Sequence, residues 1–300
     1  MLLDKTVAVV VPAYNEAKQI DRVLRTMPHF VDRIIVVNDC STDNTAGVVL
    51  SYIKEDRAIG KVITQAHAKT EENQYDRAER LLKEKQQDDM RHYVPSEIAN
   101  TYPDTDRVIL INHLKNGGVG AAIARGYKWC LDHKIDCTAV MAGDGQMDPS
   151  ELEKICKPVL SEDIDYVKGN RLIHGSARLI IPKIRFFGNS MLSILTKIAS
   201  GYWHVSDTQS GYTAISLAAL NAIKIHDIYR SYGMPNDMLV KLNIAFCTIK
   251  EIKIKPVYDI GETSKMKVHK VIPRIAWLLF KSFFKRLWLK YLFRDFHPLF

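Results

Sequence analysis

The chain has 300 residues, 47% hydrophobic and 25% charged, with 42 Lys or Arg against 34 Asp or Glu and a formal net charge of +8. That composition builds a packed globular core and excludes a disordered or fibrous chain. Cys40, Cys130, Cys137, Cys156 and Cys247 form no CxxC pair, which argues against a zinc site or disulfide framework and fits a reducing cytosol.

The charge is unevenly placed. Lys265 to Phe300 holds nine Lys or Arg and one acidic residue, Asp295, so this tail accounts for the whole +8 and residues 1–264 sum to zero. A nucleic-acid binder would want its basic face on the folded body, so no nucleic-acid partner is expected. Met1 to Lys5 has no basic leader region, and no stretch reaches the ~20 apolar residues of a membrane span. The expectation is a protein on the cytoplasmic side.

In chain order, Thr6 to Val11 (TVAVVV) is a continuous β-branched run, the pattern of a parallel strand buried on both faces. A turn at Pro12 to Asn15 leads to a helix pattern with Ile20, Val23 and Leu24 apolar. Arg33 to Val37 (RIIVV) reads as a second strand, and DCSTDNT from Asp39 to Thr45 as a capping loop before a helix. Val108 to Ile111 and Thr138 to Met141 read as the third and fourth strands. Strand alternating with helix predicts an α/β fold on a mostly parallel sheet, with ligands at the carboxyl ends of the strands. Between about residues 61 and 107 the pattern changes. Glu71 to Arg91 is highly charged and predicts a solvated helix inserted between two sheet elements.

Four polar clusters follow predicted strands. The first is Pro12, Tyr14, Asn15 and Glu16. In the second, Asp39 is read as facing a ligand and Ser41 or Asp43 as capping the helix. The third, Asn116 to Ala122 (NGGVGAA), offers glycine backbone at Gly118 and a helix N-terminus to phosphate, or else a simple turn. The fourth is AGDGQMDP. Asp144 and Gln146, two residues apart, can turn oxygens toward one hard cation, while Asp148 before Pro149 suits a helix cap. No GxGxxG follows the first strand, which disfavours a dinucleotide dehydrogenase.

VPAYNE, VVNDCSTDNT, NGGVGAA and MAGDGQMDP, in this order, resemble family 2 glycosyltransferases of GT-A fold, in the branch of dolichyl- and polyprenyl-phosphate sugar synthases. The resemblance runs from about Val7 to Tyr258. It implies a Rossmann-like nucleotide-sugar transferase domain over residues 1–264 and a basic amphipathic tail over 265–300. Pro12, Tyr14, Glu16 and Asp39 would then contact the nucleoside, with Asn116 and Gly118 beside the donor. Asp144 and Gln146 would bind Mg2+ or Mn2+ at the donor diphosphate, with UDP favoured as the nucleotide. Arg171, in KGNR, would stand near the phosphates or acceptor, and DTQSGY, with Ser210, would lie under the sugar and acceptor. One departure is Ala142, where the branch often has a first carboxylate. It is the only support for a catalytically inactive binding protein.

The expected reaction is inverting transfer of a sugar to a lipid-linked acceptor. A lipid phosphate is already anionic and needs cations, for which Arg171, Arg178, Arg185 and Lys265 are candidates. A sugar hydroxyl, the alternative acceptor in cell-surface glycan synthesis, needs a base, and Asp237 in GMPNDML is the candidate. Helix capping or a charge pair is its other reading.

In the tail, Ala276, Trp277, Phe280, Phe283, Phe284, Leu287, Trp288 and Tyr291 recur at spacings of three and four. They predict one apolar helix face, with Lys281 and Lys285 opposite and Arg286 and Lys290 flanking. This is the pattern of a peripheral anchor on the cytoplasmic face of a membrane. Docking onto the protein's own core or onto a second subunit of a homo-oligomer is the alternative.

Overall fold

The computed structural model describes residues 1–58, 81, 88–177, 183–257 and 268–294. Eight strands form one sheet: β1 (Val7–Ala13), β2 (Arg33–Asn38), β3 (Ser96–Ile98), β4 (Val108–His113), β5 (Cys137–Val140), β6 (Tyr166–Asn170), β7 (Thr213–Ser216) and β8 (Ile249–Lys253). Their order is β3-β4-β2-β1-β5-β7-β6-β8. β1 is parallel to β2 and β5, β2 to β4, and β6 to β8. β3 runs against β4, and β7 against both β5 and β6. Only β3 and β7 are therefore reversed, and the expected mostly parallel α/β sheet is present.

Alternation along the central strands feeds two cores. Ala8, Val10, Ile35, Val37, Ile109 and Ile111 face one side, and Val7, Val9, Val11, Ile34, Val36, Val108 and Leu110 face the other. The first side is covered by α3 (Val119–Asp132) through Ile123, Tyr127 and Cys130, and by α7 (Met234–Ile244) through Met238, Leu239 and Leu242. The second is covered by α1 (Ile20–Arg25), α2 (Thr45–Ala58) and α4 (Leu152–Ser161). Each fully buried Val, Leu or Ile contributes about 1.5–3 kcal/mol relative to exposure. This is why uninterrupted β-branched runs settle in the middle of the sheet. α3 lies close on β1 because residue 126 is glycine: a Cβ there would meet Val10 Cγ1 at 2.4 Å.

The predicted helix over Glu71 to Arg91 falls mainly outside the described residues. The stretch after it, residues 92–107, is part of the fold. Val94, Asp106 and Arg107 are buried, and Ser96 to Ile98 add the edge strand β3. Its polar sequence hid it, because an edge strand needs no apolar run.

The remaining α-helices among the described residues are α5 (Lys183–Ser200), α6 (Leu217–Ala222) and α8 (Val268–Arg286), the last continuing in π-helical turns to Arg294. α8 docks on α5 and α7, with Ile275 and Leu279 buried against Ala199 and Val240. Arg286 is buried rather than flanking, and its Nη2 donates to the Ile198 carbonyl at 3.3 Å. Docking on the protein's own core therefore accounts for one face. Trp277, Phe280, Phe284, Trp288 and Tyr291 stay exposed on α8 and the turns after it. Lys281 does not point away from them, since its Nζ lies 5.2 Å from the Trp277 ring centroid. Among the described residues no helix is long and apolar enough to cross a membrane.

Candidate active site

Because β1, β2, β4, β5 and β6 run the same way, their carboxyl ends share one edge, and the polar clusters gather there. Past β1, Asn15 takes a left-handed φ of 55°, Asn being among the residues that tolerate it. Its backbone N–H donates to Ser41 Oγ at 3.0 Å, and its Oδ1 accepts from the Thr42 N–H at 2.8 Å. The Glu16 N–H donates to Thr45 Oγ1 at 2.9 Å. Asp43 accepts from the Thr45 and Ala17 N–H groups, each at 3.0 Å, so it does the capping expected of that loop. Pro12 is buried in β1, and its carbonyl accepts from Gly143 N–H at 3.2 Å. Tyr14 is exposed beside this interlocked pair of loops.

Asp39, just past β2, is buried and holds the glycine loop. Its Oδ1 accepts from Gly117 N–H and its Oδ2 from Gly118 N–H, both at 2.7 Å, and His113 Nδ1 lies 2.7 Å from Oδ1. Burial pushes the Asp39 carboxyl up, but His113 and the two amides outweigh it and leave it below the usual range. Asn116 Nδ2 donates to the Asp39 carbonyl at 3.1 Å. Gly118 has a φ of +86°, and a Cβ there would stand 2.4 Å from the Arg230 carbonyl oxygen, so only glycine fits. The cluster is thus a braced turn opening α3, and Asp39 is the brace. His113 was not singled out in the sequence, because a histidine closing a strand carries no signal until its partner is known.

The β5 and β6 ends form a cleft of about 50 Å³ lined by Asp144, Gln146, Met147, Asp148, Glu151, Arg171, Ser210, Gly211, Tyr212, Ile254, Lys255 and Val257. Asp144 Oδ1 accepts from the Gln146 N–H at 3.0 Å, across a turn where Gly145 has a φ of +75°. Asp148 caps the short helix at Pro149–Glu151, accepting from Ser150 N–H at 2.9 Å.

On the far wall, Arg171 grips Asp207, which is wholly buried, with Nε to Oδ2 at 2.9 Å and Nη2 to Oδ1 at 3.1 Å. Burial pushes the Asp207 carboxyl up, but Arg171 and Lys168 beside it hold it below its ordinary value. Lys255 Nζ reaches over the cleft to Asp148 Oδ2 at 3.5 Å. Sequence reading missed Lys255, which follows a strand whose IKEIK pattern was not recognised and meets this cleft only through the β6–β8 pairing.

The structure therefore brings Asp144, Gln146, Arg171 and Ser210 to one cleft. Asp237 does not line it. It lies in the first turn of α7, and its Oδ2 accepts from Tyr229 N–H at 2.9 Å and from Lys241 Nζ at 2.6 Å. The strand of chain it fastens lies against the glycine turn, where the Gly120 N–H donates to the Arg230 carbonyl at 2.9 Å. Arg178 and Lys265 fall outside the described residues, as does the side chain of Arg185 in α5.

Known proteins match this arrangement. A UDP-N-acetylglucosamine–dolichyl-phosphate N-acetylglucosaminyltransferase of Methanococcus voltae is 28% identical over 258 residues, covering 86% of this chain and 88% of its own. A dolichyl-phosphate beta-glucosyltransferase of Trichomonas vaginalis is 24% identical, covering 94% of this chain and 74% of its own. Among solved structures, glucosyl-3-phosphoglycerate synthase from Mycobacterium tuberculosis, in complex with Mn2+, UDP and glucosyl-3-phosphoglycerate, superposes with a TM-score of 0.56 at 16% identity. It covers 94% of this chain and 80% of its own, a likeness of fold. The family model described as Glycosyl transferase family 2 matches residues 8–80 and 88–224. With that match over most of its length, this chain belongs to glycosyl transferase family 2 and is a glycosyltransferase.

Proposed function

We propose that the protein moves a sugar, with inversion, from a nucleoside-diphosphate donor, a UDP-sugar, to the phosphate of a polyprenyl or dolichyl lipid. The observation that carries this reading is the meeting of Asp144 and Gln146 with Arg171, Ser210 and Lys255 in one cleft. The names of the dolichyl-phosphate transferases among its relatives support the acceptor class.

The donor set fits a hard divalent cation such as Mg2+ or Mn2+. Asp144 offers a carboxylate and Gln146 an amide oxygen. Among the described residues no group of three His, Cys, Asp or Glu could hold a metal unaided. One carboxylate plus substrate phosphate oxygens and water is a usual arrangement for Mg2+. When bound, such an ion would neutralise charge on the departing diphosphate. Ala142 removes one carboxylate and leaves this arrangement possible.

The chain's own residues do the positioning. In this reading the Asp39-braced turn and Tyr14 hold the nucleoside, and the N-terminus of α3 faces its phosphates. Arg171 and Lys255 supply positive charge to the acceptor phosphate, joined by Arg178, Arg185 and Lys265. An anionic phosphate needs no proton removed, which agrees with the Asp237 carboxylate already engaged by Tyr229 and Lys241.

The tail would place this site at the bilayer, on the cytoplasmic face. Trp277, Phe280, Phe284 and Trp288 are each more than half exposed, with Lys281 beside them. Aromatic and basic side chains together suit an anionic membrane surface. The test is acceptor choice. Transfer should occur to polyprenyl phosphate in vesicles and not to the polyprenol lacking the phosphate; equal transfer to both would remove the phosphate from the account.

A further inference from the structure

Lys168 is a fully buried lysine on β6, the last strand but one of the sheet, opposite Thr213 on β7 and Glu251 on β8. A lysine at such a position is costly, and an apolar side chain would fill it at lower cost. Its ammonium donates to the Ser210 carbonyl, in the loop that carries the cleft residues Ser210, Gly211 and Tyr212. The same loop is fastened at other points. Glu251 Oε1 accepts from the Ser206 and Asp207 N–H groups at 2.8 and 3.0 Å, and its Oε2 accepts from Asn170 Nδ2 at 2.7 Å. Asp207 in turn accepts from Arg171. Lys168 and Arg171 thus balance Asp207 and Glu251 beneath the loop, and without the lysine this buried cluster carries a surplus negative charge.

We propose that the Lys168 ammonium is a positioning group that fastens the 206–212 loop against the strands, and so sets where Ser210 and Tyr212 stand in the cleft. What that loop does for the acceptor rests on the function proposed above; the fastening does not.

Burial pushes the Lys168 ammonium down to about 8, against the opposing pull of Asp207 and Glu251 and with Arg171 adding to the lowering. A lysine whose folded-state value lies below its unfolded value costs stability below the folded value, and that cost fades as pH rises toward the unfolded one. Opening the loop to water would return the lysine toward its ordinary value, so raising the pH does not loosen the loop through this group, and substitution at one pH reads the fastening.

The experiment is amide hydrogen exchange on the whole chain without substrate at about pH 7, for wild type and two variants. Lys168→Met removes the donor and should lower protection of residues 206–212 severalfold while β1, β2 and β4 keep theirs. Lys168→Arg, if it folds, keeps a donor and should restore protection toward that of wild type. Wild-type protection of the loop in Lys168→Met, or a loss shared equally by β1, β2 and β4, would overturn the proposal. No acceptor is present, so failure here is separate from failure of the lipid-phosphate reading.

Discussion

Arg171 and Asp207 form a two-pronged ion pair at the wall of the cleft, the guanidinium Nε and Nη2 each meeting one carboxylate oxygen at 2.9 and 3.1 Å. The aspartate is fully buried and the arginine partly so. Removing one partner strands a buried charge, which costs about 3–5 kcal/mol, whereas replacing both is far milder. Arg171→Met should therefore lower stability by that amount in urea unfolding, and the double change with Asp207→Asn should recover most of it. Additive losses in the double variant would show that the two groups are not coupled.

The same pair sets a pH dependence. Arg171 holds the Asp207 carboxyl below its ordinary value despite burial, which pushes the other way. A carboxyl with a lowered folded-state value contributes stability that is complete above the unfolded value of about 4 and is lost as pH falls through the lowered value. Urea midpoints followed from neutral pH into the acid range should fall for wild type, and fall less steeply for Asp207→Asn. Parallel curves would count against the pairing.

Gly118 is expected to be intolerant of a side chain. Its φ of +86° and the Arg230 carbonyl 2.4 Å from a built Cβ both oppose alanine. The backbone strain alone costs about 1 kcal/mol or more, and the turn that presents Gly117 and Gly118 to Asp39 must shift. Gly118→Ala should weaken UDP binding in titration calorimetry more than Gly188→Ala, which meets nothing within 4 Å.

Asp237 separates the two acceptor types. Asp237→Asn loses the Lys241 ion pair and should cost about 2 kcal/mol of stability, yet keep transfer to lipid phosphate. A folded variant that has lost all transfer would make Asp237 a base and the acceptor a hydroxyl.

The central sheet is legible in the sequence because β1, β2 and β4 are buried on both faces, so TVAVVV, RIIVV and VILI leave little room for another reading. β3, β7 and β8 are short or lie at the edge, and IKEIK reads as surface when its neighbours are unknown. The roles of Asp43 and Asp148 as caps follow from local spacing and were recoverable for that reason. Lys255, His113 and Glu251 depend on partners far along the chain, and a lone lysine such as Lys168 in a strand normally reads as solvent-facing. In the tail the 3.6-residue period was visible, but it does not say which flank of the helix the protein itself covers. Ile275, Leu279 and Arg286 turned out to be that flank.

The most direct measurement is transfer of radiolabelled sugar from a panel of nucleoside-diphosphate donors to polyprenyl phosphate vesicles with Mn2+, using wild type and Asp144→Asn side by side. Wild type should carry label from one donor into the organic phase. Asp144→Asn should lose about a hundredfold or more of that rate, the loss expected when several kcal/mol of leaving-group stabilisation is removed, with its unfolding curve unchanged. Label that stays aqueous with every donor, or an Asp144→Asn protein as fast as wild type, would contradict the assignment.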